Sequence, residues 1–163
     1  MRSVRTISRK DLTKEEIGFF IAGFTEGEGS FNVSLRKKDD YAVKWQVVMS
    51  FNVSQKERSI LDLIQKEIDC GIIKVRKRDG LYSLDVTSPS NIIQKVIPYF
   101  QKYPLLSVSK VRNFQVFCQI ADLMDEGQHK TISGLYKIVE LREELNEGKG
   151  RKRKYTINDI FPK

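Results

Sequence analysis

Two periods of apolar residue alternate along this chain. Ile17, Phe20, Ile21 and Phe24 recur at the spacing of one helical face. Thr13-Lys14-Glu15-Glu16 just ahead of them reads as a capping box, so a helix starts near Lys14. Gly23 and Gly27 lie one turn apart on another face and would let a second backbone approach closely. Gly27 and Gly29 are expected to end the helix, because glycine tolerates a terminal left-handed turn. The period then changes to two. Phe31, Val33 and Leu35 alternate with Asn32, Ser34 and Arg36, which predicts a strand over 30–38. After a turn at Asp39-Asp40, a second strand is expected over 42–53. Val43, Trp45, Val47, Met49, Phe51 and Val53 point one way along it; Lys44, Gln46, Val48, Ser50 and Asn52 point the other.

Ser54-Gln55-Lys56-Glu57 reads as a second capping box, opening an amphipathic helix through Ile60, Leu61, Leu63, Ile64 and Ile68. Residues 71–78 and 81–87 form a hairpin about Asp79-Gly80, a strong turn signal. Lys74, Arg76 and Arg78 share one face of its first strand; Ser83, Asp85 and Thr87 share the polar face of its second. Ser88-Pro89 starts a short helix to about Phe100. A longer helix is expected over 110–125, with Val111, Phe114, Phe117, Cys118, Ala121 and Leu123 inward. Thr131 or Ser133 caps a last one to about Asn146. The order predicts an α+β domain with a four-stranded antiparallel sheet. Helices cover its apolar face, and the opposite face is polar and basic.

Composition narrows the partners. The 163 residues suffice for one domain with a real core, here 13–147, between a basic arm at 1–12 and a basic tail at 148–163. Lys and Arg number 29 against 21 Asp and Glu, for a net charge of +8 and a pI of about 9.5. That balance points to a polyanion, nucleic acid before an anionic membrane. No apolar run reaches transmembrane length, and the first ten residues lack the apolar segment of a secretory signal. They read as a basic arm, with a faint likeness to an organellar transit peptide. Cys70 and Cys118 lack CxxC spacing and read as buried free thiols of a reducing compartment. A single histidine, His129, rules out His-rich metal chemistry. Intracellular placement is expected, in an organelle or a prokaryotic cytoplasm.

The chemistry concentrates where the first helix ends. Glu26 and Glu28 sit at the negative end of a helix dipole, which is costly without a cation. A hard divalent metal is the natural one; a solvated helix end is the plainer alternative.

The string Ile21-Ala22-Gly23-Phe24-Thr25-Glu26-Gly27-Glu28-Gly29-Ser30 closely resembles the signature of the LAGLIDADG homing endonucleases. The likeness covers ten consecutive positions, with Thr at a tolerant site and Glu for Asp at both acids. The predicted order agrees with that family's αββαββα core. The pattern from His129-Lys130-Thr131 to Asn146 is also similar, so the likeness spans nearly the whole chain. In that family two copies of the helix pack together, which implies an interface at Ala22, Gly23, Thr25, Glu26 and Gly27. The last acid of each, here Glu28, holds Mg²⁺ with help from the Gly27 carbonyl; Mn²⁺ or Ca²⁺ can take the same place. No second such string occurs, so the resemblance implies a homodimer with paired Glu28.

Two more catalytic candidates follow from the resemblance. Gln55 matches a strand end that orders active-site water, against a helix cap as the alternative. Lys110 matches a lysine near the phosphates, against a solvated surface lysine. The polar sheet would read double-stranded DNA through Asn32, Ser34, Arg36, Lys38, Lys44, Gln46, Lys74, Arg76 and Arg78, Arg and Lys suiting guanine, Asn and Gln adenine. Singly, each of these is better read as a solvated sheet residue; the basic alignment over three strands argues against that reading for the set. A ten-residue strand spans ~33 Å, near ten base pairs at about 3.4 Å each. Two subunits would cover about twenty on a pseudo-palindromic site. The function implied is a site-specific, metal-dependent, intron-encoded DNA endonuclease. The alternative is a non-cleaving binder, such as a maturase acting on intron RNA.

Overall fold

The computed structural model describes residue 4, residues 6–146 and residues 153–162. Helix α1, Lys14–Glu28, starts at the expected box: the Thr13 hydroxyl accepts from the Glu16 N–H, and the Glu16 carboxylate accepts from the Thr13 N–H at 2.7 Å. Its inward stripe is Gly18, Ile21, Ala22 and Thr25. Phe20, expected inside, is 45% exposed. The cause lies at Gly18, where an added Cβ would meet the Tyr103 ring at 2.4 Å. Small residues turned inward let α1 lie low on the core, and the phenylalanines turn outward.

Gly29 follows in extended backbone, φ −89° and ψ 156°. Neither Gly27 nor Gly29 adopts the expected left-handed turn. Gly29 is required for closeness instead: a Cβ would stand 2.5 Å from Thr25 Cγ2. The chain therefore runs directly from helix into strand β1, Gly29–Lys37.

Strand β2 spans Trp45–Gln55, helix α2 Arg58–Ile68, strand β3 Ile72–Val75 and strand β4 Tyr82–Val86. All pairs are antiparallel, in the order β1-β2-β4-β3. Three boundaries differ from the sequence expectation. Residues 42–44 belong to the turn, with Lys44 at φ 60°. Ser54 is still in β2, so the second capping box does not form; Glu57 is the N-cap and makes no side-chain cap bond. The hairpin's first strand stops at Val75, four residues before Asp79.

Helix α3, residues 89–102, contains a wide turn at Ile92–Val96, in which the Ile97 N–H reaches the Ile92 carbonyl. Pro98 follows at once; it cannot donate a backbone bond, and the wide turn accommodates it. Helix α4 is Val108–Asp125 and helix α5 Ile132–Glu143, capped by Thr131. Residues 144–146 form a turn rather than the predicted last helical turn. The helices cover the apolar sheet face, with Phe31, Phe51, Phe100 and Phe117 fully buried at the centre. Val111, Phe114, Cys118 and Leu123 are only half-buried; Val116, Ile120 and Met124 take the deeper positions.

The expected tail is not all tail. Tyr155 stacks edge-on against Trp45 at 4.9 Å, and Ile160 in the short helix α6, Ile157–Ile160, is buried. Arg153 donates to the Arg142 and Leu145 carbonyls, each at 2.8 Å, and so closes the end of α5. Of the basic run 149–154, residues 149–152 lie outside those described.

Candidate metal and nucleic-acid site

The tip of α1 and one end of the polar sheet face form the candidate site. Gly29 pairs with Val53, so Glu28 lies level with the end of β2, where Ser54 and Gln55 also stand. Glu28 is exposed. No basic residue occupies the last turn of α1, so its backbone carbonyls and the carboxylate together make a negative, hard-oxygen corner. Among the described residues, no three His, Cys, Asp or Glu side chains gather as a ready metal cage. One chain supplies the Glu28 carboxylate and the Gly27 carbonyl.

Glu26 is bound differently. Its Oε1 accepts from the Leu106 N–H at 2.5 Å and the Ser107 N–H at 3.1 Å, and its Oε2 accepts from the Ser107 hydroxyl. Partial burial pushes its pKa up, but these three bonds and the Lys110 charge outweigh that and hold it below the ordinary value. Lys110 is buried at 9% exposure and donates to the Gly29 carbonyl at 2.6 Å. It is therefore not a solvated surface lysine. Gln55 shares the strand parity of Val53 and Phe51, not of the polar face, and its Oε1 accepts from the Lys56 N–H at 2.7 Å.

Asn32, Ser34, Arg36 and Gln46 share the polar face with Ser50 and Asn52. Asn32 donates to the Ser30 hydroxyl at 2.9 Å. Lys74 shares that face on β3, 3.9 Å from Asp85, itself held by the Ser83 hydroxyl. The other basic candidates do not lie on strands. Lys38 and Lys44 bracket the β1–β2 turn, where the Lys44 ammonium donates to the Asp39 carbonyl at 2.6 Å. Arg76 and Arg78 converge on Asp79 in the hairpin turn, Arg76 through two bonds of 2.9 and 3.2 Å. A carboxylate in the turn gathers both guanidiniums, so they do not form one face with Lys74.

The expected helix-pairing residues divide. Ala22 and Thr25 are buried within the chain at 3% and 0% exposure, and the half-buried Glu26 carboxylate is engaged by Leu106 and Ser107 ahead of α4. Gly23 and Gly27 are exposed, and an added Cβ at either meets nothing within 4 Å. With Phe20 and Phe24, whose rings lie 6.2 Å apart, they form an open apolar stripe. Ser107, Asn113 and Asn146 carry no expected role in the sequence; each works through a partner 33 or more positions away, and no local pattern marks it. Arg153, expected only as part of the basic tail, bonds carbonyls 8 and 11 positions back.

The LAGLIDADG endonuclease family profile matches residues 21–121. A relative named probable intron-encoded endonuclease 2, from Neurospora crassa, is 38% identical over 149 residues, 88% of this chain and 32% of that protein. The crystal structure of the I-LtrWI LAGLIDADG homing endonuclease bound to target DNA superposes with a TM-score of 0.83 at 29% identity, covering 92% of this chain and 50% of that one. The homing endonuclease I-TnaI gives 0.74 at 31% identity, covering 84% and 90%. The chain thus spans about a third of the Neurospora relative and half of I-LtrWI. No helix among the described residues is long and apolar enough to cross a membrane.

Proposed function

The chain belongs to the LAGLIDADG endonuclease family, and from that premise we propose that it acts as a homodimeric, site-specific endonuclease on double-stranded DNA. Glu28 carries this reading: an exposed carboxylate kept at the negative end of a helix with no basic residue in that turn. Two such chains would meet along Phe20, Gly23, Phe24 and Gly27, bringing both Glu28 side chains together. The Glu28 carboxylate and Gly27 carbonyl are donors that suit Mg²⁺, Mn²⁺ or Ca²⁺. When bound, the ion supplies an activated water and charge stabilisation on the phosphate.

The remaining roles fall to the chain's own groups. Lys110, held beside Glu28 by the Gly29 carbonyl, would place positive charge near the scissile phosphate. Gln55 would order water from the end of β2 once its side chain leaves the Lys56 N–H. Asn32, Ser34, Arg36, Gln46 and Lys74 would face base edges in the major groove. Lys38, Lys44, Arg76 and Arg78, on turns, suit phosphate contacts that position without specifying sequence. The pairing of two identical chains implies a pseudo-palindromic target, and an intron-borne gene would accord with how the relatives are named.

The test is incubation with the uninterrupted host locus in Mg²⁺ and in EDTA. Cleavage in Mg²⁺ alone is expected, and Glu28→Gln should abolish it while leaving DNA binding. Tight binding without cleavage in any divalent ion would favour a maturase-like role on intron RNA. Unchanged cutting by Glu28→Gln would reject the ligand assignment.

A further inference from the structure

Two helix ends meet behind Glu28, and each lacks the charge that would stabilise it. The last turn of α1 has no basic residue, and the first turn of α4 has no acidic one. The α4 N-cap, Ser107, makes no side-chain bond to its own helix; its hydroxyl goes to Glu26. Glu26, from the negative end of α1, takes the first amides of α4. Lys110, from the positive end of α4, donates to the Gly29 carbonyl just past the end of α1. Each helix thus receives from the other the charge that its dipole favours. The two ties are three residues apart on both segments, at 26 and 29 and at 107 and 110, and they bracket Glu28.

We infer that Glu26 is a positioning residue: with Ser107, Lys110 and the Gly29 carbonyl it forms a reciprocal clasp that sets where the Lys110 ammonium stands relative to the Glu28 carboxylate. An isolated ammonium on a four-carbon stem has many rotamers, and the clasp selects one. A displacement of about 1 Å at such a centre can cost about 100-fold in rate, so the clasp bears on turnover and not on DNA affinity. The inference rests on the proposed endonuclease activity for its kinetic consequence, but its geometry can be read without it.

The experiment compares wild type, Glu26→Ala and Ser107→Ala with a control, Lys95→Ala, which removes a tie to Asp69 at the end of α2. Lysine acetylation is mapped by mass spectrometry, and single-turnover cleavage and DNA affinity are measured alongside. In Glu26→Ala the expected result is acetylation of Lys110 about tenfold faster, as local opening becomes easier. Cleavage should fall about 100-fold with affinity in Ca²⁺ unchanged. Ser107→Ala should move both in the same direction by less, and Lys95→Ala neither. Unchanged Lys110 labelling in Glu26→Ala overturns the clasp. Faster labelling with unchanged cleavage overturns its positioning role. If wild type cleaves no DNA, the proposed function fails, while the labelling still decides whether the clasp exists.

Discussion

Asn146 and Asn113 hold each other through two hydrogen bonds: the Asn113 Nδ2 donates to the Asn146 side-chain oxygen at 3.1 Å, and the Asn146 N–H donates to the Asn113 Oδ1 at 3.0 Å. Asn146 sits at φ 55° just beyond α5, a conformation that asparagine tolerates. Its Nδ2 also donates to the Phe31 carbonyl, at 3.1 Å, on the outer edge of β1. Since β1 is an edge strand, this bond occupies a backbone acceptor that would otherwise face another strand. The pair therefore fastens α4 and the end of α5 to the strand that carries Asn32 and Ser34.

Removing one member leaves the other part-buried and without its partner. Asn113→Ala should destabilise the fold by about 1–3 kcal/mol, the usual cost of an unsatisfied buried polar group. Urea unfolding monitored by circular dichroism measures this. A midpoint equal to wild type would mean that solvent replaces the bond at no cost.

The open stripe on α1 yields a prediction of opposite sign for folding and association. Gly23 has free space around its missing side chain, and glycine in a helix interior costs about 0.5–1 kcal/mol relative to a good helix former. Gly23→Gln should therefore raise the stability of the isolated chain slightly, yet block close approach of a second helix. On the proposed pairing, sedimentation should show a dimer for wild type and a monomer for this variant. A dimer retained by this variant would place the contact elsewhere.

Glu26 gives a pH dependence with a defined direction. Its folded pKa lies below the ordinary value of 4.5, so its contribution to stability is complete above that value and is lost as the pH falls through the lower, folded one. Wild type should exceed Glu26→Gln in urea midpoint at neutral pH, and the gap should close only in the acid range below 4.5. A gap that persists at the lowest pH where the chain stays folded would mean that the carboxylate charge is not what matters.

Local chemistry was legible in the chain; long-range partnership was not. The Thr13 box, the alternation of Phe31, Val33 and Leu35, the Asp79-Gly80 turn and the ten-residue string ending at Ser30 depend on neighbours within a few residues. They led to the helix, the hairpins and the α+β class, and to Glu28 as the candidate ligand. Strand ends were harder, because alternation continues into turns; Lys44 and Arg76 keep the pattern beyond the bounds of β2 and β3. Even the orientation of α1 eluded its own periodicity. Phe20 fits an apolar face as well as Ile21 does, and only the Tyr103 ring against Gly18 decides which turns inward.

What the sequence by itself determined is the principal helices and strands, the family and the carboxylate on which the proposed chemistry depends, since all three are written in short-range patterns of period, cap and motif. The tertiary structure alone decided that Glu26 faces α4 while Glu28 faces outward, that Lys110 is buried against Gly29, and that Asn146 reaches Phe31. Those contacts join residues 80 to 115 positions apart. Which pairs meet at such separation follows from how helices and sheet pack, not from any pattern along the chain.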